Sequence, residues 1–194
     1  RQEIGEALSQ PVTIEDLRQA IRTSPSGSVP GPSGLSYAMM KEWPESVLIK
    51  AHAAMSEIWE QKIIPSCWNK KWLCPKPKIQ PDQATLQDLR PLNLLETPRK
   101  LLMGIVVKRI TAIWERNDIL SNSQYGFRTK RSCEGPTLQV LNAQEEAEES
   151  GTELHGSSWD IRRAFDSVPK EVLVMSWERL GVPSAVANYI VDLN

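Results

Sequence analysis

Residues 159–169, which read WDIRRAFDSVP, are the most informative stretch of the sequence. It places Asp160 where an extended segment over residues 153–161 is expected to end, with a helix start at Pro169 close behind. A carboxylate at such a strand end can hold a magnesium ion, which takes one or two protein oxygens and completes its shell with substrate phosphates. On residue type alone, Asp160 and Asp166 would serve equally well as helix caps.

A proline-rich segment further upstream carries two separated cations. Residues 72–78 read WLCPKPK, and residues 88–95 read DLRPLNLL. Lys76 offers a point charge and Arg90 a planar fork of donors, a combination that suits a single polyphosphate group. Two surface cations beside a proline-rich hairpin would give the same pattern without any ligand.

A third segment, residues 123–132, reads SQYGFRTKRS. Gly126 would let the backbone approach a nucleic acid closely, because glycine has no side chain to obstruct it. Gln124 and Arg128 can reach a phosphate or a sugar, whereas Phe127 is expected to pack in the core.

Taken in order along the chain, these segments resemble the reverse transcriptases of non-LTR retrotransposons. Residues 30–35, PGPSGL, resemble the Pro-Gly-x-Asp-Gly loop that opens the fingers in that family, with Ser33 standing where the family has Asp. The resemblance covers the chain from about Val12 to its end. It implies a right-hand polymerase fold of fingers, palm and thumb.

The resemblance also implies roles for residues of the catalytic motif and the hairpin. Asp160 matches the first catalytic aspartate, a metal ligand, and Ile161 matches the residue whose backbone carbonyl faces the metal. Lys76 and Arg90 match the cations that grip the triphosphate of the incoming nucleotide, and Phe165 matches the aromatic ring beneath its sugar.

The third segment matches a family motif that lies along the template strand, so Gln124, Gly126 and Arg128 are expected to bind template. The cofactor implied is Mg²⁺, with two ions in the complete enzyme. The partners implied are an RNA template, a DNA primer and dNTPs.

The fold class expected is a helix-rich α+β chain, an incomplete right-hand polymerase that holds the fingers and the start of the palm. Residues 1–152 would form a fingers-like region with N-terminal helices. Residues 153–194 would form the N-terminal part of the palm with the first catalytic motif, and the rest of the palm and the thumb are expected to be absent. The sequence contains no Tyr-x-Asp-Asp motif, which supplies the family's second aspartate pair, so these residues alone are expected to be inactive.

Apolar periodicity predicts helices over residues 12–23, 35–43, 46–62, 97–116, 133–149, 169–180 and from 183 onward. Thr13 and Asp16 fit a capping box at the start of the first of these helices. Thr97 can cap the 97–116 helix, and Pro98 suits its first turn. A strand is expected over 68–75, ending at Pro75 and Pro77, and a loop over 24–34. In the 133–149 helix, Leu138, Val140 and Leu141 are expected to face inward.

The net charge of −1 conceals a segregation of charge along the chain. Residues 62–131 carry 14 basic and 5 acidic side chains, whereas residues 132–155 carry no basic and 6 acidic side chains. A basic block suggests a local site for a polyanion, because each Lys or Arg on a phosphate releases counterions. Basic side chains that merely cover helix faces would explain the block equally well.

The cysteine count is odd, at three, and no CxxC pair occurs, so neither a disulfide partner nor a zinc site is expected. No apolar run is long enough to span a membrane. An intracellular location, nuclear or cytoplasmic, is the expectation.

Three other functions remain open at this stage. A decayed or domesticated retroelement that binds nucleic acid or acts as a scaffold is favoured by the polar residues 154–159, LHGSSW, where the family has an apolar strand. A maturase-like protein of group II introns would be more basic throughout. An unrelated helical interaction protein, with the seven tryptophans as core anchors, would leave the order of the segments to chance.

Overall fold

Nine α-helices and a two-stranded sheet make up the part of the chain described by the computed structural model, which is residues 2–78, 80, 83, 85–161 and 164–193. The elements are α1 (Gln2–Ser9), α2 (Ile14–Thr23), α3 (Tyr37–Lys41), α4 (Glu45–Gln61), β1 (Trp72–Pro77), β2 (Leu89–Leu94), α5 (Thr97–Arg116), α6 (Glu134–Ser150), the single turn α7 (Ala164–Ser167), α8 (Lys170–Arg179) and α9 (Ser184–Asp192). Turns of 3₁₀ helix at Ser66–Asn69 and Leu86–Asp88 precede the two strands.

Helix α5 is the central element of the core. Its 20 residues span about 30 Å, and its apolar stripe is buried where α1 and α2 pack against it. The bounds predicted for this helix are confirmed, and Pro98 lies in its first turn as expected. The N-cap is Glu96 and not Thr97, whose hydroxyl instead donates to the carbonyl of Leu35 at 2.5 Å.

The entry into α2 is held by a capping box and an ion pair. Thr13 Oγ1 accepts from the backbone N–H of Asp16, and Asp16 Oδ2 accepts from the N–H of Thr13, both at 3.0 Å. Arg109 of α5 donates to the same Asp16 oxygen at 2.6 Å and to the carbonyl of Pro11 at 2.8 Å. This cluster ties the start of α2 to the middle of α5, and it confirms the predicted capping box.

The last helix, α9, belongs to the same core. Tyr189 is buried and donates its hydroxyl proton to the carbonyl of Ile63 at 2.9 Å, and this burial raises the pKa of Tyr189 to about 12. Trp114 of α5 donates from its indole nitrogen to the carbonyl of Leu180 at 3.0 Å, and its ring lies 5.5 Å from that of Trp177. The C-terminal helices are thereby anchored to α5.

Most of the other predicted elements are confirmed, with shifts at their ends. The helices over 35–43 and 46–62 form as α3 and α4, separated at Pro44, and residues 24–34 form neither helix nor strand. The strand expected over 68–75 begins later, at Trp72, because residues 66–69 form a 3₁₀ turn, and Pro75 lies inside it. Helix α1 was not predicted, although the spacing of its buried Ile4 and Leu8 is helical.

Two predictions near the C-terminal half are wrong. No residue of α6 is buried, and Leu138, Val140 and Leu141 are about half exposed. Residues 153–161 form no strand, since they are exposed and pair with neither β1 nor β2, the strands of the described part of the chain.

The cysteines at positions 67, 74 and 133 are free and exposed. Among the residues that the structure describes, no helix combines the length and the apolar character needed to cross a bilayer.

Replacing Asp16 with Asn should lower the free energy of unfolding by about 1–2 kcal/mol at neutral pH, because both the capping box and the partner of Arg109 are weakened. Burial raises the pKa of Asp16, but hydrogen bonds from Thr13 and the charge of Arg109 outweigh it and hold the pKa below its ordinary 3.8. An acid with a lowered pKa stabilises the fold above its unfolded pKa and loses that contribution as the pH falls through the folded value. The difference between wild type and variant, measured by urea unfolding, should therefore shrink below about pH 4.

The matched control is Glu15→Gln, which removes an exposed carboxylate one residue away, 3.5 Å from Arg18. It should change the unfolding free energy by about 0.5 kcal/mol or less. Equal losses in the two variants would show that the Arg109 contact adds no stability.

Candidate functional site

The hairpin of β1 and β2 brings together the two cations singled out in the sequence. In its antiparallel register Lys76 lies directly opposite Arg90, and both side chains are exposed. Residues that face each other in this way project from the same face of a sheet, and like charges there repel. The hairpin therefore holds two cations side by side in an arrangement that a bound polyanion would relieve.

The prolines of the hairpin determine how this pair is oriented. Pro75 lies opposite Pro91, and neither has an N–H to donate, so this position is a pair without ladder hydrogen bonds. Because the two kinds of pair alternate, the neighbouring Lys76–Arg90 pair is of the hydrogen-bonded kind, with its Cα atoms about 5.5 Å apart. The prolines thus occupy a position where their missing N–H groups cost no ladder hydrogen bond, in the register that places Lys76 opposite Arg90.

Asp88 organises the chain that leads into β2. Its carboxylate accepts from the backbone N–H of Thr85 at 3.0 Å and from the hydroxyl of Thr85 at 2.6 Å, while its carbonyl accepts from the N–H of Lys78 at 2.8 Å. The Thr85 hydrogen bonds, with a smaller contribution from the charge of Lys78, lower the pKa of Asp88. The carboxylate is engaged in this turn, two residues before Arg90.

The base of the hairpin is joined to the loop of residues 29–35. The buried carboxylate of Glu96 accepts from the N–H of Ser33 at 2.9 Å and from its hydroxyl at 2.5 Å. A Cβ on Gly31 would lie 2.6 Å from the carbonyl oxygen of Leu95, so this contact requires glycine. Because position 33 lies against the carboxylate of Glu96, the residue there has to donate a hydrogen bond, which serine can do and an ionised aspartate cannot.

The 123–132 segment forms a loop that is held from within. Arg128 makes a two-pronged contact with Glu115, with Nε donating at 2.9 Å and Nη2 at 2.6 Å, and its Nη1 donates to the carbonyl of Ser121 at 2.7 Å. Its side chain is only 4% exposed. In this structure the guanidinium of Arg128 faces Glu115, while Gln124 and Gly126 are exposed.

Phe127 does not pack in the core as expected, since it is 97% exposed. Phe127 and Lys130 both adopt left-handed backbone conformations, with φ of 61° and 60°, which turn the chain sharply on both sides of Arg128. Tyr125 is the residue that packs: a Cβ on Gly135 of α6 would lie 2.4 Å from its ring. The aromatic predicted to be buried and the one that makes the contact are two positions apart.

Residues 159–161, which include the predicted metal ligand Asp160, are exposed to solvent. Asp160 is exposed, and its carboxylate makes no hydrogen bond or ion pair with any residue that the structure describes. Ile161 and Trp159 are 70% and 88% exposed. Phe165 lies in α7, but its side chain is outside the described part of the chain.

The structure therefore brings Lys76 to Arg90 and gathers Gln124, Gly126 and Arg128 in one loop, and it joins Asp160 to neither group by a direct contact within the described residues. Sequence reasoning missed Glu96 and Glu115, the two carboxylates that hold the flanking loops. Their positions at the two ends of the long helical pattern are the signal that was available.

Comparison with known proteins gives one family and two relatives. The family model for reverse transcriptase (RNA-dependent DNA polymerase) matches residues 74–193. The chain is 23% identical over 175 residues to a Drosophila melanogaster protein named probable RNA-directed DNA polymerase from transposon BS, a match that covers 88% of this chain and 19% of that protein. It is 23% identical over 169 residues to a Xenopus laevis protein named transposon TX1 uncharacterized 149 kDa protein, covering 87% and 13%. The chain spans less than a fifth of the length of either of these curated relatives.

Replacing Ser33 with Asp should lower the free energy of unfolding by about 1–3 kcal/mol, because it would place a second carboxylate against that of Glu96 in a partly buried site. Ser33→Ala removes only a donor and should cost less. Denaturant unfolding of the three proteins measures both differences.

The control for that series is the double variant Ser33→Asp with Glu96→Gln, in which the glutamine amide can donate to the new carboxylate. It should recover part of the stability lost in Ser33→Asp alone. A double variant at least as unstable as Ser33→Asp would show that the serine is needed for its size and not for its charge.

Replacing Arg128 with Ala should loosen residues 117–133, because left-handed conformations such as that of Phe127 persist only where surrounding contacts enforce them. The expected result is faster amide hydrogen exchange across this loop. The comparison is Lys130→Ala, which removes a cation from the same loop but none of these contacts. Unchanged exchange in Arg128→Ala would mean that the Glu115 contact does not hold the loop.

Proposed function

Because the chain belongs to the reverse transcriptase (RNA-dependent DNA polymerase) family, we propose that it is part of an RNA-directed DNA polymerase of a transposable element of the non-LTR type. Residues 1–152 would form the fingers side of a right-hand fold and residues 153–194 the start of the palm. The helix-rich architecture with its small hairpin is compatible with that arrangement.

The observation that carries the proposal is the Lys76–Arg90 pair. These residues lie opposite each other on an exposed hairpin, and neither forms an ion pair with a carboxylate of the described residues. A forked guanidinium and an ammonium group on one face suit the triphosphate of a dNTP. Binding of an anion would relieve the repulsion between these two cations, which favours the bound state.

The donor types at the catalytic motif fit a magnesium ion. The Asp160 carboxylate and the Ile161 carbonyl are oxygen ligands, and both residues are exposed, so that substrate phosphates could reach an ion held there. Such a sparse set is what Mg²⁺ uses where substrate phosphates complete its coordination. When bound, the two ions of the complete enzyme would neutralise charge on the attacking and leaving oxygens.

The reaction proposed is attack by the primer 3′-hydroxyl oxygen on the α-phosphorus of a dNTP, with pyrophosphate as the leaving group. Lys76 and Arg90 would hold the β- and γ-phosphates and neutralise the charge that the leaving group takes with it. Phe165 would lie beneath the sugar and orient it. Gln124 and Gly126 present the exposed part of the loop to the template, while Arg128 holds that loop in shape through Glu115.

The test is primer extension on an RNA template with Mg²⁺, using the protein extended through its native downstream sequence beside the 194-residue chain. The extended protein should make DNA, and Asp160→Asn should abolish the synthesis. Lys76→Gln should raise the KM for dNTP by more than it lowers kcat, because it removes a contact to the triphosphate. The 194-residue chain alone should be inactive.

Two exposed positions serve as matched controls, Glu171→Gln for the loss of a carboxylate and Lys71→Gln for the loss of a cation. Both variants should retain full activity. A folded extended protein that binds template but makes no DNA would refute the polymerase assignment. The second candidate, a decayed element that binds nucleic acid, would then remain. It is favoured by residues 153–161, which pair with neither strand of the described part of the chain.

A further inference from the structure

A groove of about 430 Å³ lies between α2 and α5, and it shares no residue with the hairpin or with the 123–132 loop. Its α5 side is formed by Lys100, Gly104, Lys108 and Arg109, and its α2 side includes Gln19 and Thr23. We refer to it as the α2–α5 groove. The polymerase roles proposed above use none of these side chains.

The α2–α5 groove carries excess positive charge. Asp16 is the acid among its lining residues, and it is neutralised by Arg109 at 2.6 Å. Lys100 donates to the carbonyl of Val29 at 3.3 Å, and Lys108 donates to the side-chain oxygen of Gln19 at 3.2 Å. Within the described part of the chain neither lysine forms an ion pair with a carboxylate. Two ammonium groups therefore border the groove without a carboxylate partner, and that of Lys100 lies 5.5 Å from the centre of the Tyr37 ring.

The spacing of these lysines indicates an extended ligand. Lys100, Gly104 and Lys108 follow one another at four-residue intervals, so they lie on nearly the same face of α5, and the two lysines are roughly 12 Å apart along its axis. The two ammonium groups are held by different partners, Lys100 by the carbonyl of Val29 and Lys108 by the side chain of Gln19. A chain of phosphates can place one group near each ammonium.

Gly104 leaves the space between the lysines open. A Cβ at this position would meet no atom within 4 Å, so no packing contact requires the glycine, although glycine is unfavourable inside a helix. The backbone is exposed here, and a ligand can pass close over it.

The geometry points to a second nucleic-acid site, in which the α2–α5 groove binds the phosphodiester backbone of a single RNA or DNA strand. Lys100 and Lys108 each contact a phosphate, and the strand crosses the helix at Gly104. The inference rests on the proposed function for the identity of the polyanion, but it does not depend on catalysis.

The test measures binding of labelled oligouridine and of oligodeoxythymidine to the 194-residue chain by fluorescence anisotropy across a salt series, without dNTPs. Lys100→Gln and Lys108→Gln should each weaken binding and reduce the slope of log K against log salt by about 0.7. An effect on both strands identifies the backbone as the ligand, and an effect on RNA alone adds its 2′-hydroxyl. Lys50→Gln, which removes an exposed lysine from α4, is the control and should change neither quantity.

A further variant separates binding from folding. Gly104→Gln fills the open space with a better helix former, so it should raise the melting temperature while lowering the affinity for the strand. Loss of affinity together with a gain in stability cannot result from unfolding.

Equal losses of affinity in Lys50→Gln and Lys108→Gln would overturn the proposal in favour of diffuse charge. So would displacement of the labelled strand by inorganic triphosphate at the same phosphate concentration at which an unlabelled strand displaces it. Binding that depends on the groove lysines in a protein whose extended form makes no DNA would refute the polymerase assignment alone. DNA synthesis by an extended protein whose strand binding ignores these lysines would refute the groove alone.

Discussion

Helix α5 buries one face in the core and thereby positions the segments at both of its ends. Nine of its residues are buried, and α1 and α2 both pack on it. Because the helix is packed in this way along about 30 Å, both of its ends are fixed relative to the core. The hairpin leads directly into its first turn, and the 123–132 loop follows its last, so both candidate functional segments take their placement from the same rigid element.

A carboxylate at each end of α5 holds the neighbouring loop through hydrogen bonds. Glu96 accepts two hydrogen bonds from Ser33, and Glu115 accepts two from Arg128. The first end gathers the 29–35 loop against the hairpin, where Gly31 allows the two backbones to touch. The second end supports the left-handed turns of the following loop. Glu115 therefore occupies the guanidinium of Arg128, a cation that the sequence alone assigned to the template.

The sequence was sufficient for elements whose stability is local or whose apolar face meets the core. The capping box of Thr13 and Asp16 and the apolar stripe of residues 97–116 gave the positions of α2 and α5 because caps and periodicity are read over a few residues. The exposure of Phe127 was not predictable in the same way, since it accompanies a left-handed backbone turn next to Arg128, whose partner Glu115 lies in a different element. The inward face assigned to α6 failed because periodicity shows that a face is apolar without showing what packs on it.

For the candidate site too, the sequence indicated residue types but not their tertiary partners. The pairing of Lys76 with Arg90 follows from their places on two strands, but the register that puts them opposite each other depends on Pro75 meeting Pro91. The role of Arg128 could not be read from its segment, because its partner lies on α5. Residue types therefore suggested which side chains were available for phosphate, and tertiary contacts decided which of them were already engaged.

The pairing of three arginines with acids explains how a nearly neutral chain can present basic surfaces elsewhere. Within the basic block of residues 62–131, Arg109, Arg116 and Arg128 are paired with Asp16, Glu3 and Glu115. The planar fork of arginine suits these fixed intramolecular contacts, which hold α1, α2 and the 123–132 loop to α5. The lysines at positions 76, 100 and 108 have no such partner among the described residues. These three arginines thus engage acids in building the fold, whereas Arg90 and the three lysines keep charges without a carboxylate partner among the described residues, which a phosphate chain can bind.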